Sequence, residues 1–128
     1  MLGEKKIKGK VKSGLGEGRF WIKKAEKVIL EKLKIEKIFY GTLNVEIEKP
    51  YKLEKPDYII EAEEYGGTEK VYIKKCRVNG YTGYVVRSAI NEEERGKHPL
   101  FILEIISYIN LRKKFGLKDG DAISIEID

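Results

Sequence analysis

The sequence predicts a mainly β protein with minor α content, a small barrel packed against one or two short helices. Three observations carry this expectation. Seven or eight short segments read as strands, several of them alternating apolar and polar residues with the period of a half-buried strand. Only two segments show helical spacing, with neither a regular strand-helix alternation nor an internal repeat, which argues against a parallel α/β sheet. Finally, Asn79-Gly80 stands between two apolar-rich runs, and a tight hairpin needs positive φ at both of its central residues.

In chain order, residues 5–12 set Ile7, Gly9 and Val11 against Lys6, Lys8, Lys10 and Lys12, a strand with one wet face. That strand leads into Ser13-Gly14-Leu15-Gly16-Glu17-Gly18-Arg19. Phe20-Trp21-Ile22 is expected as a short strand, and no long helix is expected to open directly after the glycines. The first helix is placed at residues 25–35, with Ala25, Val28, Ile29, Leu30 and Leu33 along one side. Alternation returns from Phe39: Leu43, Val45 and Ile47 face one way and Thr42, Asn44, Glu46 and Glu48 the other, until Pro50 ends the run.

Further strands are expected at 58–63, 70–78 and 81–87. Residues 88–97 are polar and are expected to form a loop, of the kind that often carries function. Phe101 to Ser107 is a dense apolar run centred on Glu104, residues 110–115 form a short helix closed by Gly116, and 122–127 form the last strand.

A length of 128 residues fits one domain, 1–128. With 37% charged residues, no stretch approaches the ~20 apolar residues of a spanning helix, and the N-terminus lacks the pattern of a signal peptide. A cytoplasmic protein with no membrane partner is expected, as a monomer. The single Cys76 has no Cys or His at metal-ligand spacing and reads as a buried, inert thiol. A net charge of +5 suits nucleic acid, a nucleotide or neither.

Four constellations could carry chemistry. Glycines at 14, 16 and 18 let backbone N–H groups converge on an anion, with Arg19 adding a charge-assisted contact; a tight hairpin turn is the other reading. The string is neither a P-loop nor a dinucleotide fingerprint. Thr42 and Asn44 project a hydroxyl and an amide carbonyl from one face, either two hard oxygens for magnesium or ordinary surface groups.

Glu104 is an acid among five apolar residues, costly unless it faces a polar cavity or lies on the wet face of an edge strand. Desolvation there would favour a proton-accepting role. Asn110-Leu111-Arg112 opens the second helix, where unpaired N–H groups favour anions. His98, before Pro99, reads as a loop residue.

Taken together, SGLGEGR after the first strand, GTLN at 41–44, LEII followed by LR, and LKDGDAISI at the end resemble the archaeal CTP-dependent riboflavin kinases, with anchors from Gly9 to Ile127. The resemblance implies a cradle-loop barrel of six main strands that transfers the terminal phosphate of CTP to the riboflavin 5′-hydroxyl, giving FMN and CDP. It implies nucleotide contacts from Gly14, Leu15, Gly16, Glu17, Gly18 and Arg19, joined by Ile109, Asn110, Leu111 and Arg112. It also implies magnesium (Mg2+) on Thr42 and Asn44, flavin contact by Glu104, and Glu104 as the residue orienting the acceptor hydroxyl.

Two positions depart from the family pattern. Gly96 stands where a Thr two residues before the histidine helps to hold the flavin, so this flavin contact is reduced to backbone groups. Ser107-Tyr108 replaces the usual Ala-Pro. The competing reading is a small basic barrel that binds nucleic acid as a regulator, but Lys alternates with Glu almost throughout and that reading leaves Glu104 unexplained. A flavin carrier, binding FMN without making it, leaves the glycine loop without a role.

Overall fold

The computed structural model describes residues 5–14, 18–93 and 100–127, so the expectations for Leu15, Gly16, Glu17, Gly96 and His98 lie outside the described residues. The described strands are β1 (Lys5–Lys12), β2 (Leu43–Ile47), β3 (Tyr58–Ile60), β4 (Val71–Val78), β5 (Tyr81–Ser88), β6 (Ile102–Ile106) and β7 (Ala122–Ile127). The helices are α1 (Gly18–Leu33), α2 (Ala62–Tyr65), α3 (Ala89–Glu92) and α4 (Leu111–Lys114).

All strand pairings are antiparallel, in the order β4-β5-β6-β2-β1-β7, and β7 returns to β4 from Cys76↔Ile127 to Val78↔Ile125. A six-stranded barrel is thereby closed. β3 pairs with the first half of β4, at Tyr58↔Ile73 and Ile60↔Val71, along the stretch that β7 does not reach. Asn79 (φ 49°) and Gly80 (φ 81°) make the β4–β5 hairpin turn as their sequence requires.

Strict alternation gives the barrel two apolar surfaces. Val11, Val45, Val85, Leu103 and Ile125 fill its interior. The outer wall carries Ile73, Val86 and Ile106, and on them lies α1 through Ile22, Ala25 and Ile29. Burying each such side chain stabilises the fold by about 1.5–3 kcal/mol before entropy is counted. Cys76 belongs to the interior and is only 2% exposed. Burial pushes its thiol pKa up to about 12.

The main correction concerns the start of α1. Phe20-Trp21-Ile22 is helical, and a 16-residue helix opens directly at Gly18. Aromatic and β-branched residues favour strands locally, but Ile22, Ala25, Ile29 and Leu33 make one continuous buried stripe, and burial outweighs propensity. The helix ends at Leu33 rather than Ile35: Lys34 takes φ 56° and Ile35 N–H donates to Leu30 O at 3.2 Å, a Schellman closure.

Four helices are described rather than one or two, because short polar stretches found caps. Residues 61–65 leave the strand expected at 58–63 through a reciprocal Glu61/Glu64 capping box. Within the expected loop at 88–97, Ser88 Oγ accepts from Asn91 N–H at 3.2 Å and starts α3.

Candidate active site

A cleft of about 310 Å³ lies on the outer wall of the barrel beside the first turn of α1. Its floor follows from register. Asn44 of β2 pairs with Glu104 of β6, Glu104 with Val86 of β5, and Val86 with Ile73 of β4, so these four side chains form one row across the outside of the sheet. Glu104 is half-buried on a strand paired on both sides, which removes the edge-strand reading of this acid.

Thr42 Oγ1 donates to Asn44 Oδ1 at 3.2 Å, and both residues line the cleft with Glu104. Gly14 lies directly on Asn44: a Cβ there would come 1.8 Å from Asn44 Nδ2. Gly18 meets Thr42 in the same way, its added Cβ falling 2.7 Å from Thr42 Cγ2. Only glycine permits this approach. The described ends of the glycine segment thus rest on the Thr-x-Asn pair.

The positive end of α1 opens at the same place, and its first turn holds no acidic residue to cancel that field. Arg19 is exposed there, its guanidinium 5.9 Å from the Phe20 ring centroid. Ile109, Asn110, Leu111 and Arg112 come to the other side of Thr42, around a depression of about 20 Å³ that Thr42 also lines. Asn110 Oδ1 caps α4 by accepting from Lys113 N–H at 3.1 Å, and Leu111 is buried.

Asp119 ties the two predicted nucleotide segments together. Ser13 Oγ donates to its Oδ2 at 2.7 Å, while the Arg112 guanidinium donates to its Oδ1 at 2.5 Å and to Leu117 O at 3.2 Å. The Ser13 hydrogen bond, with the Arg112 contact second, holds the Asp119 carboxyl below its usual value. The departure at Ser107 has a structural role: Ser107 Oγ donates to Thr82 O at 3.1 Å, and the Ser107 carbonyl accepts from Phe39 N–H at 2.9 Å, holding the chain just before Gly41 and Thr42.

A family model named for CTP-dependent riboflavin kinases, and described as a domain of unknown function, DUF120, matches residues 11–127. The chain belongs to this family. Its relatives include a riboflavin kinase of Archaeoglobus fulgidus, 37% identical over 95% of this chain and 54% of that protein. A riboflavin kinase of Pyrobaculum aerophilum is 36% identical over 93% of this chain and 59% of that protein. The chain therefore spans little more than half the length of these two relatives. A riboflavin kinase of Methanothermobacter thermautotrophicus is 35% identical, with 92% of this chain and 95% of that protein covered.

Several cleft residues are invisible to motif reading. Trp21 comes from the end of the first turn of α1, and Tyr65 and Glu69 from the segment around α2; Tyr65 Oη donates to Glu69 O at 2.7 Å and its ring meets Trp21 edge-on, centroids 6.3 Å apart. Arg87, 4% exposed, donates to Tyr51 O, to Ile102 O at 3.2 Å and to Glu92 Oε1 at 3.0 Å, bracing the far wall. The signal for Trp21 was its place three residues after Gly18, which counts only once the helix is known to start there.

Proposed function

We propose that this family member is a riboflavin kinase that moves the terminal phosphoryl group of CTP to the riboflavin 5′-hydroxyl, giving FMN and CDP. The observation that carries it is the convergence of Gly14, Gly18, Thr42, Asn44 and Glu104, two glycines in close approach, two neutral oxygens and one acid, at one end of one cleft. The naming of the relatives as riboflavin kinases supports the acceptor, and the name of the family model supports CTP as donor.

Phosphoryl transfer needs positioning and charge neutralisation more than covalent chemistry from the protein. The glycine segment and the N–H groups opening α1 grip the phosphate chain, with Arg19 adding positive charge. The start of α4 completes the nucleotide site. Thr42 Oγ1 and Asn44 Oδ1 fit a magnesium ion, being hard oxygens on one wall and carrying no charge that would compete with phosphate for the metal. When bound, magnesium neutralises the phosphate oxygens.

Glu104, next to Asn44 in register, orients the 5′-hydroxyl and accepts its proton on a carboxylate oxygen as the bond to phosphorus forms. The site works in the cytoplasm on small molecules, as a monomer, and takes no nucleic acid. The test is to supply riboflavin and magnesium with each of the four nucleoside triphosphates in turn. FMN is expected with CTP; a clear preference for ATP overturns the donor, and no FMN with any of them overturns the reading.

A further inference from the structure

Three buried side-chain polar atoms lack a hydrogen-bond partner among the described residues, and two of them, Trp21 Nε1 and Glu69 Oε1, belong to residues lining the cleft beside α1. The third, Ser124 Oγ, is on β7, away from it. Buried polar atoms are normally paired, so a coincidence of two in one cavity marks the atoms a ligand satisfies. Their chemistry is complementary: an indole N–H only donates, and an ionised carboxylate only accepts. A ligand that satisfies both presents an acceptor and an N–H or O–H donor.

The surroundings restrict it further. Val71 and Val86 form an apolar floor, and the Trp21 and Tyr65 rings, 80° apart, wall one side. A flat ring system with a polar edge fits such a space. Glu69 sits two residues before Val71 on β4, and β4 is separated from Asn44 on β2 by three interstrand steps of about 4.8 Å. The nucleotide segment at 109–112 lies on the opposite side of Thr42. Glu69 is thus at the end of the cleft away from Asn44, and Trp21, rooted one turn after Gly18, turns its ring to Tyr65 beside it.

We infer that Trp21 Nε1 and Glu69 Oε1 read the pyrimidine-dione edge of the flavin, Trp21 donating to a ring carbonyl and Glu69 accepting from the N3–H beside it. This rests on the riboflavin kinase reading. It makes Trp21 and Glu69 the residues that select an unmodified dione edge, since an analogue that cannot pair leaves a buried carboxylate oxygen without a partner. Cytosine also offers a donor beside an acceptor, so the test carries an arm for CTP.

The experiment is direct binding without turnover, by flavin fluorescence, of riboflavin and N3-methylriboflavin to the intact chain and its variants, with CTP binding measured in parallel by calorimetry. The unaltered protein is expected to bind N3-methylriboflavin at least about tenfold more weakly than riboflavin. Glu69→Leu abolishes that discrimination and leaves CTP binding unchanged, while Glu69→Gln, which keeps an acceptor oxygen, retains it. Trp21→Phe, which keeps the ring contact with Tyr65, weakens riboflavin about fivefold and leaves CTP alone.

Riboflavin binding without discrimination by the unaltered protein, discrimination that survives in Glu69→Leu, or unchanged riboflavin affinity in Trp21→Phe overturns the inference alone. Loss of CTP rather than riboflavin affinity assigns the pair to cytosine and also overturns it. A protein that binds no riboflavin overturns the kinase reading itself.

Discussion

Gly14 sits so close to Asn44 that a methyl group added to it would fall 1.8 Å from the amide nitrogen. The glycine segment and the Thr-x-Asn pair are therefore one structure. Asn44 is 8% exposed, with its oxygen turned toward Thr42, so it cannot swing aside without leaving its place. Gly14→Ala is expected to displace Asn44 and lower kcat for FMN formation by about a hundredfold, the scale of an ångström-sized misplacement. Thermal melts should shift little, because Gly14 itself is exposed. A large loss of Tm with normal residual kcat would assign Gly14 to folding instead.

Glu104 occupies the row between Asn44 and Val86 and leaves the nucleotide contacts to other elements. Glu104→Gln is expected to lower kcat by roughly a hundredfold or more, the low end for a general base, while the KM for CTP stays within about twofold. Steady-state kinetics varying each substrate in turn check this. Unchanged turnover removes Glu104 from the chemistry.

Arg19 is exposed at the opening of α1, free of any acidic neighbour in that turn. Its replacement by Ala is expected to raise the KM for CTP roughly tenfold, the value of a charge-assisted phosphate contact, and to leave the KM for riboflavin alone. The reverse pattern would move Arg19 to the acceptor side.

How far the sequence alone reached shows in these residues. Period-2 runs placed β1, β2 and β7 because burial on a barrel wall imposes alternation, and the same alternation put Thr42 and Asn44 on one face; a dense apolar run placed β6. Phe20-Trp21-Ile22 misled because its strand propensity is local, whereas its helical state depends on the outer wall supplied by Ile73, Val86 and Ile106 far along the chain. The far end of the cleft was unreadable for the same reason. Trp21, Glu69 and Val86 meet only after the barrel closes.

Asp119 joins Ser13 to Arg112, and its pKa is lowered from 3.8 chiefly by the Ser13 hydrogen bond and then by Arg112. A depressed acid stabilises the fold fully above its unfolded value and loses that contribution as pH falls through the folded value. The Tm difference between the unaltered protein and Asp119→Asn should therefore be constant above about pH 5 and vanish in the acid range below pH 3.8. A difference that persists there would assign the effect to packing.

Cys76 lies inside the barrel with its thiol pKa pushed up to about 12. It should resist a thiol reagent at pH 8 in the folded protein and react at once in denaturant. Rapid reaction of the native protein would contradict the closed interior.

The central claim is that one cleft on the barrel's outer wall brings the CTP phosphates to the riboflavin hydroxyl. Its most direct test is to quantify CDP and FMN together after incubating the purified chain with CTP, riboflavin and magnesium. The account predicts equal amounts of both, each requiring the other substrate. CDP formed without FMN, or at the same rate when riboflavin is left out, would contradict it.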